Sequence, residues 1–176
     1  MTTLPDYCNF DDDGKFESCY DPTWDYAFYT FFGWGGVAFS LALANFGTAY
    51  GTAKSGMGIA SMAVTRPHLA FKSLVPIIMA GILSIYGLII AVLLTQKVKL
   101  SVYQGTGSFT AWKQFFAGIT CGGSCVSSGY AIGLVGENAV RNYGMNENIF
   151  VAIILIMIFA EVLGLYGMIV AIIMSV

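Results

Sequence analysis

Charge is what this chain has least of. Charged residues make up 10% of it, while 57% are hydrophobic and the mean hydropathy is +0.73; soluble domains carry about 25% charge. A water-soluble fold cannot cover so much apolar surface with so few charges, so that class is excluded. Only one histidine is present, His68, in a loop where a solvated role is expected. The four cysteines gather no further metal ligands around them; Cys121 and Cys125, at i and i+4 within an apolar run, read as small apolar residues. The sequence has no glycine-rich phosphate loop and no nucleophile constellation, and its eight basic residues are scattered. No metal, no cofactor, no nucleic acid partner and no hydrolysis by the chain alone are expected.

What is there is apolar length. Four stretches, near 27–53, 74–95, 114–136 and 149–175, reach the ~20 residues that a helix needs to cross a bilayer. The expected fold is an all-α membrane protein with four transmembrane helices, and lipid is its first partner. Residues 1–25 form an acidic tail, 26–110 a first helical hairpin and 111–176 a second. The tail holds seven of the ten acids and has no basic start or apolar h-region, so it is no cleavable signal peptide; a solvated, unstructured segment is expected. Its Cys8 and Cys19 can pair only if the tail faces an oxidising lumen. Loops are expected at 96–113 and 137–148. Pro76 suits the first turn of the second helix. Basic residues divide four against four between the two sides, so they do not set the orientation.

The hairpins repeat. Ile78 to Ala91 aligns without gaps to Ile158 to Ala171, an offset of 80, and Gly47–Gly51 echoes Gly129–Gly133 at an offset of 82. Two helices separate each unit from its copy, so both hairpins share one orientation in the membrane, a parallel repeat. Such units can continue side by side into a closed ring. The first and third helices carry small residues at every fourth position: Gly36, Ser40, Ala44, Thr48, Thr52 and Gly56, then Ala117, Cys121, Cys125, Gly129 and Gly133. Small residues let helix backbones approach closely in lipid. These helices are expected inside, with the bulkier second and fourth facing lipid.

The repeat differs at one position that matters. Glu161 falls opposite Gly81 and is the one charge between Ile149 and Val176. A carboxylate at the centre of a spanning helix costs about 2.5–3.5 kcal/mol on insertion scales and marks an ion or proton pathway. Facing lipid it must stay neutral, because low dielectric disfavours the charged form. Tyr86 and Tyr166 lie five residues after Gly81 and Glu161, and Tyr86, on another helix, is the better hydrogen-bond candidate. Ser84, Ser124, Ser127 and Ser128 are further candidate donors. A sodium ion wants several converging oxygens, whereas the positions just after Gly81, Ile82 and Leu83, are apolar; protons fit better.

Tyr50-Gly51-Thr52-Ala53-Lys54-Ser55-Gly56, Arg66-Pro67, Ile85-Tyr86-Gly87 and Ile158 through Gly167 together resemble the proteolipid c subunit of eukaryotic vacuolar-type proton ATPases. The resemblance covers about residues 33–176; the acidic tail and the polar Cys121-Gly122-Gly123-Ser124-Cys125 segment depart from the family. It implies a ring of c-type subunits in the membrane sector of a rotary pump, with Glu161 as the carried-proton site and Gly81 at the position where a larger paralogue keeps its acid. It further implies a neighbouring a subunit that supplies an essential arginine, a central-stalk d subunit, a soluble ATPase sector, an acidic endomembrane such as the vacuole, and luminal termini. Two other readings stay open on the residues alone. A structural four-span scaffold would use Glu161 as an inter-helix hydrogen-bonding residue, although it should carry larger loops. A self-contained channel would need a polar helix face, and one acid with scattered serines does not supply it.

Overall fold

A computed structural model describes residues 8–10, 16–19, 22–104 and 108–175. Four long helices dominate: α1, Pro22–Ala63; α2, Val75–Gln104; α3, Ser108–Met145; and α4, Phe150–Ser175. Each outruns or matches its apolar stretch. Pro22 and Pro76 sit in first turns, where a missing N–H costs nothing, and polar flanks continue the backbone hydrogen bonding beyond hydrocarbon length.

That continuation corrects two expected loops. Gln96 to Gln104 extends α2 and Ser108 to Lys113 begins α3, so no loop spans 96–113. Val98 is buried in α2 against the Gly33 position of α1, which explains why the helix does not stop at Gln96. Glu137 to Met145 likewise stays helical, leaving Asn146 and a short 3-10 turn, Glu147–Ile149, as the link to α4. The tail expectation is also corrected: Cys8–Phe10 (β1) and Phe16–Cys19 (β2) pair as antiparallel strands. Asp11, Asp12, Asp13 and Lys15 lie outside the described residues.

Among the described residues, three helical segments are both long and apolar enough to cross a membrane: Lys72–Lys99, Phe109–Met145 and Glu147–Ser175. The fourth helix, α1, is 42 residues long and carries many small residues, glycine, alanine, serine and threonine. The same composition gives it its position. It packs more extensively on α3 than on any other element, backbone against backbone. A methyl group added at Gly118 would run into the Gly36 carbonyl oxygen, and one at Gly129 into that of Gly47. Glycine is required there by close approach, not by an unusual backbone angle. Tyr50 stacks on Tyr130, ring centroids 5.2 Å apart.

The outer pair, α2 and α4, turn large apolar side chains outward: Ile78, Ile85, Leu88 and Val92 on one, Leu155, Phe159, Leu163 and Ile173 on the other. In water such a surface would aggregate; in lipid it costs nothing. At the N-terminal ends of α1 and α3, Phe28, Phe32, Trp112 and Phe115 cluster edge to face, as aromatic residues do at a membrane interface. At the opposite ends, Lys54 meets Glu137 at 3.6 Å, Arg141 meets Glu137 at 3.0 Å and Arg66 meets Glu147 at 3.8 Å. Arg66–Glu147 is exposed on both sides and is worth little, whereas Lys54–Glu137 is half-buried.

Candidate proton site

Helix α4 buries a stripe made of Ile153, Met157, Ala160, Gly164, Gly167 and Ala171, spaced alternately three and four residues apart. At 100° per residue, Glu161 lies roughly 80° round the helix from the centre of that stripe. It therefore sits at the rim, half-buried, where α4 meets α2. The small residues Ala160 and Gly164 that flank it in the stripe let α2 come close: a methyl group at Gly164 would overlap the Leu83 side chain.

Across this seam the Tyr86 hydroxyl donates to Glu161 Oε1 at 3.1 Å. Tyr86 is itself half-buried. Its repeat mate Tyr166 points the other way, 60% exposed on the outer face of α4. Gly81, the position that mirrors the acid, borders open space: nothing lies within 4 Å of where its Cβ would stand. The carboxyl and the hydroxyl come from different hairpins, so the site exists only because the two copies pack together.

The four serine candidates do not reach the acid. Ser84 donates to the Gly81 carbonyl at 2.8 Å, Ser124 to that of Cys121 at 2.8 Å, and Ser127 to that of Ser124 at 2.8 Å. A helical serine finds a carbonyl one turn back within its own helix, and these three do. Ser128 is different. It is fully buried and donates across to the Ala160 carbonyl of α4 at 2.6 Å. That carbonyl belongs to the same peptide unit as the Glu161 N–H, so the bond fixes the peptide plane from which the acid projects. Helix α3 also touches the other partner, since the buried Cys121 thiol donates to the Tyr86 carbonyl at 3.9 Å. Both residues of the pair are thus held, through their backbones, by the one helix between them. Sequence reading named Ser128 and Cys121 but not these roles; only the rotation of α3 against its neighbours reveals them.

A cavity of about 620 Å³ opens near the α1 and α3 C-terminal ends, lined by Ser61, Thr65, Arg66 and Arg141 among others. It shares no residue with the Glu161 site, and both arginines are already ion-paired to glutamates.

The sequence has counterparts among known proteins. The family of ATP synthase C subunits matches residues 35–94 and again 115–174. The chain belongs to that family. Its two matched segments begin and end 80 residues apart, the offset that sets Gly81 against Glu161. The c' subunit of the V-type proton ATPase of Eremothecium gossypii is 48% identical over 149 residues, 85% of this chain and 90% of that protein. The 16 kDa proteolipid c of the V-type proton ATPase of Rattus norvegicus is 48% identical over 146 residues, 83% of this chain and 92% of its own. A 16 kDa proteolipid of the same kind of pump in Caenorhabditis elegans, numbered c 2, is 49% identical over 149 residues, 85% of this chain and 92% of its own. Relatives named c and c' match to the same extent. Residues 1–34 lie outside the family match.

Proposed function

We propose that this chain is a proton-carrying subunit of the rotor ring of a vacuolar-type, ATP-driven proton pump. The observation that carries the reading is Glu161 itself: half-buried at the rim of an outer helix, with a neutral hydroxyl as its partner, in a chain similar to V-type proton ATPase proteolipids. Protonated, the acid is neutral and crosses lipid as the ring turns; ionised, it cannot. Release needs a cation beside the carboxylate, which a neighbouring a subunit would supply as an arginine. The proton then enters from the cytosol and leaves to the lumen. Opposing potential costs about 2.3 kcal/mol per charge per 100 mV, so rotation must be driven by ATP hydrolysed in a soluble sector coupled through a central-stalk d subunit.

Tyr86 keeps the acid positioned in both states, because a phenol can donate to a carboxylate and accept from a carboxyl. Among the described residues Tyr86 is the one side-chain hydroxyl bonded to Glu161, which supports a proton over a sodium ion that needs several oxygen ligands. Other c-type subunits complete the ring, lipid covers its outer face, and the chain sits as a multi-pass protein of a vacuole or similar acidic endomembrane with luminal termini. The test is ATP-driven acidification of vesicles carrying Glu161→Gln, with ring assembly measured in the same membranes. Assembled rings that acidify no faster than background are expected; full acidification would overturn the reading.

A further inference from the structure

We propose that Cys8 and Cys19 are joined by a disulfide that clips the N-terminal hairpin on the luminal side of the membrane. The observation is the backbone register. Strands β1 and β2 pair antiparallel with Cys8 opposite Cys19 and Asn9 opposite Ser18, before a bulge shifts the next pair to Phe10 and Phe16. Residues directly opposite in an antiparallel ladder have Cα atoms about 4.5 or 5.5 Å apart. Disulfides bridge Cα separations of about 4.4–6.8 Å, so both kinds of pair fall within the span of the bond.

The sequence agrees with that placement. Cys8 and Cys19 are the only cysteines outside the helices. Strands of three and four residues make too small a ladder to persist in water without support. A covalent link at its open end is the kind of staple that small β elements use.

The chemistry balances as thiol–disulfide exchange. Each Cys Sγ loses its proton, the two sulfurs bond, and two electrons pass to a luminal disulfide oxidant, whose own S–S bond breaks to give two thiols. Such oxidants act in the secretory lumen and are opposed in the cytosol. The proposal therefore rests on the luminal tail of the preceding reading.

Two measurements on the assembled protein in sealed vesicles, cytosolic face outward, separate the claims. The first counts thiols: protein denatured under acid and labelled with a high-mass maleimide should take two labels before reduction, on Cys121 and Cys125, which are free, and four after it. A Cys8→Ser/Cys19→Ser variant should take two in both conditions. Four labels on the unreduced protein would overturn the disulfide whichever way the tail faces. The second uses Lys15, the one basic residue between the cysteines, as a trypsin site. Cutting only after the vesicles are opened is expected, with the fragment ending at Lys15 staying attached until reductant is added. Cutting from outside would overturn the luminal placement while the label count still reports the bond.

Discussion

The two hairpins are built on one plan and do different work. In each, an inner helix presses small side chains against a glycine of its outer helix: a methyl at Gly87 would meet Ala44 and the Ser40 carbonyl, and one at Gly167 would meet Ser124 and the Thr120 carbonyl, again 80 residues on. In each, a buried serine crosses to an outer-helix carbonyl. In the first hairpin Ser40 reaches Gly87 at 3.3 Å; in the second Ser128 reaches Ala160 at 2.6 Å, directly before the acid. The seams are alike, while the carboxyl is present in one copy and replaced by Gly81 in the other. Packing and the acid are therefore separable: the first hairpin keeps what holds helices together and lends the second a tyrosine.

The largest effects should come from breaking the shared seam. Gly118→Leu or Gly129→Leu places a side chain where the Gly36 or Gly47 backbone stands. Overpacking of that kind costs about 1–3 kcal/mol or more, and here the obstacle is main chain on both sides. Loss of assembled protein is expected in a membrane extract separated by native electrophoresis, whereas Gly81→Ala, which faces open space, should leave assembly unchanged. Assembly of the Gly129→Leu protein at normal levels would show that α1 and α3 do not pack through these glycines.

A smaller effect should separate the chemistry from the packing. Tyr86→Phe keeps the ring and removes the hydroxyl bonded to Glu161. One hydrogen bond is worth about 0.5–1.5 kcal/mol net, so acidification per assembled ring should fall by about 2–10-fold. Ser128→Ala should be milder, at the low end of that range, about 0.5 kcal/mol, because the Ala160 carbonyl keeps its helical partner. Its signature would be a drop in proton transport without loss of ring, with partial rescue by Ser128→Thr; a purely structural role for Ser128 would lower transport and assembly together.

Much of this was legible before any geometry. The repeat, the acid in its second copy and the small-residue faces of the first and third helices follow from spacing alone, because the 80-residue offset and the four-residue step are periodic signals. What was not legible depends on how helices are rotated against one another. Ser84, Ser124, Ser127 and Ser128 look alike as a string of hydroxyls, yet three turn back on their own helix and one crosses to α4. Helix ends were misplaced for a related reason: hydropathy marks where lipid ends, and hydrogen bonding carried α2 and α3 past that point. The tail hairpin escaped because short strands among acids carry no apolar alternation.

The smallest effect gives the sharpest comparison. Tyr86 and Tyr166 occupy the same place in the repeat, but only Tyr86 has a carboxyl to meet; Tyr166 stands exposed on the outer face and Gly81 offers it nothing. Tyr166→Phe should therefore leave acidification within about 2-fold of the parent, the scatter expected for a surface change of ±0.5 kcal/mol. If the two tyrosines instead proved equally sensitive, the hydroxyl at Glu161 would not be what makes Tyr86 matter, and the aromatic ring common to both copies would have to be. Equal insensitivity would place the burden of holding the acid on the backbone, through Ser128 and the Ala160 carbonyl. Only an unequal pair is consistent with a duplicated hairpin in which one copy carries the proton and the other supplies its partner.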